Sequence, residues 1–481
     1  KNNLIYCNSN AKTISEANEL SKKLNKQQLS IKIKKSIAQI KDYIHPDYYL
    51  ANLLEHKVAF HYGKLPQLIR NLVEDLYKSE EVQNVFCTST LLEGVNMPTQ
   101  NIFILNGQNG RKPLSQIDFW NLSGRAGRLA KELYGNIFCV QHEDWIWKNK
   151  EILKKSEIIL KPTVLTKIDR NLQKIEKILK EQKITGSQEE QAILRYIANI
   201  ISVDTLEIKS NYKSPLIERL IEKKKDKIIE LAKANVKDYE IPSYILNSNQ
   251  SINLNIQNKI FKLLQKANKE GKSIKLPSHL INYETCLTVL KDLYVLYEWG
   301  NAEKKLKNEK SLNYYALLMN QWINGFGLNQ IIKMSIQHYE TNNGLIHLGY
   351  IEGKPNYVNF RKGNTEHINA LIEKIIDDIE YVLRFLFEKY FNHYYQVIAN
   401  ILGEDSAGEN WASLLEYGTQ NRIAIALQNI GLSRHTALAI YRKCRHALNV
   451  EDGKLKSVNK NSILSEFKNG TLEHDEINRI L

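Results

Sequence analysis

The chain has 481 residues, 43% of them hydrophobic and 25% charged, and a formal net charge of +14. That length exceeds a single hydrophobic core, so several domains are expected, and the composition excludes disordered and fibrous classes. Five cysteines, at positions 7, 87, 139, 286 and 444, form no CxxC pair. This argues against a disulfide framework or a zinc site and for a reducing, cytoplasmic setting. No apolar run reaches the roughly 18 residues of a membrane span, so no membrane partner is expected, and no residue of this chain is singled out as a metal ligand. The positive excess has two readings: a polyanionic partner, since neutralising phosphates releases counterions, or a lysine-rich solvated surface.

Along the chain, short β-rich runs at 4–6, 58–60, 85–87, 102–105 and 137–140 lack polar alternation, as strands buried on both faces do. Helical patterns at 14–24, 66–78 and 115–122 fall between them. Residues 1–147 are therefore expected to form a doubly wound α/β domain. The lysine-rich stretch 25–42 reads as a helix-bearing excursion or a solvated loop. Three connections carry polar residues suited to phosphate. The first strand is followed by Asn8 and Ser9. The run VFCTSTLLEGVNMP (85–98) breaks into Thr88 and Ser89 and continues through Gly94 and Asn96. The run NLSGRAGRL (121–129) sets Arg125 and Arg128 on a turn broken by Gly124 and Gly127. Guanidinium groups stay charged and offer a planar fork of donors, so against a γ-phosphate they stabilise the charge of phosphoryl transfer. The two glycines are read as packing the backbone tightly, so that both arginines project from a fixed base.

In this order the segments resemble the second RecA-like domain of superfamily-2 helicases, in the Ski-like branch. His61, Gly63, Leu65, Pro66, Arg70, Val73 and Glu74 match its His-x-Gly-Leu-Pro loop and the Arg and Val-Glu pair that follow. Asn121 stands where the family often has Gln. The resemblance implies that Arg125 and Arg128 reach a nucleotide bound on a first RecA-like domain, Arg128 at the γ-phosphate. It assigns Gly94, Asn96, Asn121 and Gly124 to the nucleotide side of the cleft. Thr88, helped by Ser89, would hydrogen-bond a nucleic-acid phosphate, with Asn8 and Ser9 as further backbone contacts. ATP and Mg2+ would be held mainly by the first RecA-like domain. No GxxxxGK[ST] loop occurs in this chain, and GQNGRKP (107–113) has the wrong spacing. The expectation is the C-terminal part of a larger motor, inactive as an ATPase by itself.

Beyond residue 143 helical periodicity takes over, with a domain boundary near 148–161. Residues 148–240 are expected to hold a winged-helix-like domain, centred on 186–221. The Asn-rich stretch 241–290 reads as a linker into a helical bundle at 291–405. There Trp322 and Gly325 resemble a Trp-x-x-Gly helix turn of the family, with the tryptophan in the core. The amphipathic run 368–402 resembles by position the long "ratchet" helix lying across the nucleic-acid channel. Arg384, with Lys389, His393 and Tyr394, would then touch the strand; a buried scaffold helix is the competing reading. In the module 406–450, LQNIGLSRHTALAIYRKC (427–444) resembles a helix-hairpin-helix. Gly431 and Ser433 fall in its hairpin and Arg434 adds charge, against the alternative of a plain turn capped by Ser433. Residues 451–481 read as a polar, peripheral tail.

The whole implies an ATP-driven helicase or translocase moving 3′→5′ on single-stranded or tailed nucleic acid, DNA favoured over RNA. A non-catalytic nucleic-acid-binding regulatory subunit is the alternative. The layout also resembles helicases of bacterial anti-phage systems such as Hachiman, which work beside a nuclease-like partner.

Overall fold

The computed structural model describes residues 2–89, 97, 99–110, 112–127, 134–140, 147, 152, 163–206 and 213–481. The chain divides into two compact units. The first comprises Lys1–Ile158, Gln321–Tyr381 and Tyr417–Leu481, the second Ile159–Asn320 and Val382–Glu416. They interleave along the sequence, unlike the contiguous series of domains expected from it.

The first unit is built on five parallel strands, β1 (Asn3–Tyr6), β2 (Val58–His61), β3 (Asn84–Cys87), β4 (Asn101–Ile104) and β5 (Asn136–Cys139). Their order is β2-β3-β1-β4-β5, and each begins within a residue of the apolar run that signals it. Leu4, Tyr6, Val58, Phe60, Val85 and Ile102 are fully buried, as a sheet covered on both faces requires. A row of asparagines pins the register at the amino ends. The Asn3 side chain donates to Asn84 at 2.8 Å, Asn101 to Asn3 at 2.9 Å, and Asn136 to Asn101 at 3.0 Å. A slip of one residue would break this ladder and turn buried side chains outward.

Helices α1 (Asn10–Lys23), α2 (Ile31–Tyr43), α3 (Tyr49–Leu54), α4 (Gln67–Lys78) and α5 (Gln116–Ser123) flank the sheet. The lysine-rich stretch is α2: Ser30 caps it at the Ile33 N–H, and Ile33, Ile37 and Ile40 recur at helical spacing on its buried face. Helix Thr365–Asp377 joins this lobe through Asn369, which donates to the Asp47 carbonyl at 2.9 Å and accepts from the Tyr49 N–H at 2.8 Å. Glu373 on the same helix accepts from the hydroxyls of Tyr48 and Tyr62. The stretch read as a peripheral tail instead contributes core: Ile463, Phe467 and Ile477 are buried with Leu427, Leu432, Ala437 and Ile440. Its two short helices, Lys460–Ser465 and Leu472–Ile480, carry too few apolar residues for periodicity to reveal them.

The second unit is helical, with no strand among its described residues. Helices Thr163–Leu179, Gln188–Leu206, Pro215–Glu222 and Asp226–Val236 share one core around Ile168, Leu194, Ile201 and Leu220. The winged-helix expectation thus keeps its helices and lacks a wing among the described residues. The expected linker is helical as well, at Ser243–Ser248, Leu254–Lys269 and Tyr283–Leu296. Two of its asparagines serve as caps: Asn253 accepts from the Ile256 N–H, and Asn282 forms a capping box with Thr285. The run expected as one long helix comprises Thr365–Asp377, a π-helical segment Asp378–Phe387, and Glu388–Leu402. Among the described residues no helix is long and apolar enough to cross a membrane.

Candidate nucleotide and nucleic-acid interface

In open parallel sheets, ligands bind beyond the carboxyl ends of the strands. There the fold brings two of the expected pairs together. β1 and β3 are neighbours with Tyr6 opposite Cys87, and the Cys7 N–H donates to the Cys87 carbonyl at 2.7 Å. Asn8 and Ser9 therefore emerge beside Thr88 and Ser89. Ser9 caps α1 through the Lys12 N–H, and its carbonyl accepts from the Thr13 N–H at 2.9 Å. Asn8 is tied to a small hairpin, its side chain donating to the Gly110 carbonyl at 3.0 Å and its carbonyl accepting from the Gly110 N–H. Thr88 is buried and Ser89 half-buried. Asn106, beyond the end of β4, is a contributor that sequence reasoning missed. It is buried, and its Oδ1 has no partner among the described residues. The sequence signal was a polar residue just past each central strand.

The floor beneath these groups is dry. Burial pushes the Cys7 thiol up to about 12 and raises Cys87 and the Tyr6 hydroxyl above their ordinary values. Both thiols are therefore inert at neutral pH. The charge of Arg125 acts on Cys87 in the opposite sense, against the larger effect of burial. Arg125 is 5% exposed, so it does not project as expected. The turn it occupies is held by close backbone contact. The Gly127 N–H donates to the Thr99 carbonyl at 3.1 Å, Gly127 has φ +68°, and a Cβ there would come 2.6 Å from the Gly135 nitrogen. Gly124 ends α5 in right-handed backbone and is exposed, as is Asn121. The positions Gly94, Asn96 and Arg128 lie outside the described residues.

At the end of β2, His61 is buried and its Nε2 lies 3.3 Å from the Glu74 carboxylate on α4. Burial alone would raise the Glu74 carboxyl, but the His61 ring, Lys78 and Arg70 hold it below its ordinary value. The loop and helix pattern from His61 to Glu74 is thus one locked element, with Pro66 opening α4.

No protein-family model matches the chain. Similar proteins include Anti-bacteriophage protein B of Escherichia coli, 32% identical over 95 residues, covering 20% of this chain and 13% of that protein. The ATP-dependent DNA helicase Hel308 of Aeropyrum pernix is 32% identical over 95 residues, covering 19% and 13%. The Hachiman protein HamB of Bacillus cereus is 27% identical over 114 residues, covering 23% and 10%. The proteins this chain resembles are thus named as helicases and as defence proteins. The matches span only about an eighth to a tenth of those relatives' lengths. The parallel sheet followed by helices agrees with a RecA-like helicase domain joined to helical domains.

The helical residues expected to touch a strand in such a helicase part company. Arg384, on the π-helical segment, is exposed. Lys389 bonds Glu303 at 2.9 Å, and Tyr394 is buried with its hydroxyl on the Lys275 carbonyl. His393 is fully buried against the Tyr297 hydroxyl at 2.6 Å, and burial lowers its pKa to about 3. For these three the scaffold reading holds. In the C-terminal module, Gly431 (φ +113°) and Ser433 form the turn before helix Arg434–Lys443, as the hairpin resemblance requires. Ser433 caps that helix and also bonds Glu476. Arg434 stacks 3.8 Å over Trp322 and donates to the carbonyls of Gly418, Phe326 and Trp322 at 2.8, 3.0 and 2.6 Å. That geometry gives Arg434 a structural task.

Proposed function

We propose that this chain supplies the second motor domain and accessory helices of an ATP-dependent helicase that moves 3′→5′ along single-stranded or tailed DNA. A first RecA-like domain, carrying the Walker A loop, completes the motor and holds most of the ATP and Mg2+. The observation that carries the reading is the row of Asn8, Ser9, Thr88 and Ser89 just past the carboxyl ends of the adjacent strands β1 and β3. Hydroxyl, carboxamide and guanidinium donors suit phosphate oxygens, and such contacts carry no base identity, as a translocating motor needs. Thr88 and Ser89 hold a strand phosphate, and Asn8 and Ser9 a neighbouring one. Arg128 acts at the γ-phosphate while buried Arg125 positions the turn that carries it. ATP, when bound, supplies the free energy of phosphoanhydride cleavage, and closure of the cleft converts it into strand movement. Arg384 offers a further strand contact. A relative named as an anti-bacteriophage protein supports a role against phage nucleic acid, and a nuclease-like partner is part of the same proposal.

Arg128→Ala, in the protein carrying both motor domains, is expected to abolish strand-stimulated ATP hydrolysis while leaving strand affinity within about twofold. Unchanged turnover would remove Arg128 from the nucleotide. Comparing single-stranded DNA, tailed duplex and RNA at one salt concentration tests the substrate preference.

A further inference from the structure

A β-hairpin in the first unit presents three rings on an open face. Strands Leu345–Ile351 and Lys354–Asn359 pair antiparallel, with His347 opposite Tyr357 and Tyr350 opposite Pro355. Between those two rungs the first strand uses one residue more than the second, which is a β-bulge. Side chains alternate along a regular strand, so His347 and Tyr350 would otherwise face opposite sides. The extra residue brings them to the same side, and Gly349, at φ +98°, adopts the backbone this demands. The rings of Tyr350 and Tyr357 then lie 5.2 and 5.1 Å from that of His347.

The other face is already used: Ile346 is buried and Val358 half-buried, and Phe360, just beyond, packs on Tyr339. The ring face is not. Tyr350 is 66% exposed and Tyr357 60%, and neither hydroxyl has a partner among the described residues. A solvated sheet face ordinarily carries polar side chains, so packing does not account for these rings. They are tilted at 81° and 50° to His347 rather than stacked on it, which leaves ring faces open. Arg361, past the end of the second strand, and Lys354, beside the turn and by alternation on the opposite side, have no ion pair among the described residues, Lys362 is engaged by Glu340 at 3.7 Å, and Glu352 at the turn is the hairpin's only acid.

We propose that this face is a stacking platform for the unpaired bases of a nucleic-acid strand. His347, Tyr350 and Tyr357 provide the π surfaces, and Arg361 meets the phosphates, with Lys354 adding positive potential from the turn end of the hairpin. The proposal rests on the helicase reading of the chain. Stacking tolerates any base, because every base has a π face, and cationic flanks favour a polyanion over a neutral protein surface.

The test is fluorescence anisotropy with fluorescein-labelled oligothymidylate and oligouridylate on the 481-residue chain. Tyr350→Ala with Tyr357→Ala is expected to weaken binding roughly tenfold or more, with an unchanged salt slope and melting temperature. Tyr350→Phe with Tyr357→Phe keeps both rings and should bind like the parent. Parent-like affinity in the double alanine variant overturns the platform and leaves the face to a protein partner. So does a phenylalanine variant as weak as the alanine one. If the unsubstituted chain binds neither probe, the helicase reading falls and the platform with it.

Discussion

Ser433 and Glu476 are joined twice: the Ser433 N–H donates to one carboxylate oxygen at 3.0 Å and its hydroxyl to the other at 2.6 Å. The Thr436 hydroxyl donates to the same group. A carboxylate of this chain thereby occupies the first turn of helix Arg434–Lys443, the ground a strand phosphate would need. Glu476→Ala should leave two hydroxyls unpaired in a buried site and cost about 2 kcal/mol, seen as a lower melting temperature. Ser433→Ala should lower stability by about 1 kcal/mol and leave strand affinity unchanged. A loss of affinity in that variant would return the hairpin to the list of phosphate contacts.

Arg434 satisfies three carbonyls at once while its guanidinium lies on Trp322. Lysine cannot reproduce a planar fork with five donors, so Arg434→Lys should destabilise nearly as much as Arg434→Ala, by about 3 kcal/mol. Gly418→Ala should do comparable damage, since its Cβ would lie 2.5 Å from the Trp322 ring. Chemical denaturation of the three variants measures both.

The two glycines of the GRAGR turn should separate. Gly127→Ala combines a left-handed backbone with a collision at Gly135, and about 2 kcal/mol or more of destabilisation is expected. Gly124→Ala sits in right-handed backbone at a helix end, its Cβ 3.2 Å from the Trp120 carbonyl, and should be nearly neutral. Thermal melting distinguishes them, and in the protein carrying both motor domains strand-stimulated ATP hydrolysis should fail in the first variant alone.

Glu373 makes stability depend on pH. Burial, with Asp377 adding to it, lifts its carboxyl above the ordinary glutamate value; the Tyr62 and Tyr48 hydroxyls and Lys64 oppose this without cancelling it. Its folded pKa being the higher, the native state keeps a proton that the unfolded chain has already lost. The stabilisation is full below the unfolded value and is lost as pH rises through the folded one. Glu373→Gln removes the titration, so urea unfolding from mildly acidic to neutral pH should lose that downward slope.

The strands of the parallel sheet were legible because burial on both faces leaves an unbroken apolar run, and the His61 to Glu74 pattern because its spacing is fixed by a real contact. Composition misled where polar residues were structural. Asn253 and Asn282 of 241–290 cap helices, and Arg434, read as added charge, is half-buried and bonded to three carbonyls. The hairpin at 345–359 went unseen because its aromatics face solvent and its bulge breaks the alternation that marks a strand. Burial of Arg125 could not be read from a turn whose sequence only promises charge.

Tyr48 and Tyr62 lie early in the chain, yet the carboxylate that receives both hydroxyls comes from residue 373. Trimming the polypeptide at the end of its sheet-forming stretch would therefore strip the lobe of the helix that covers these tyrosines. Attempts to map activities by shortening the protein will report on a damaged lobe unless residues 321–381 are kept with it.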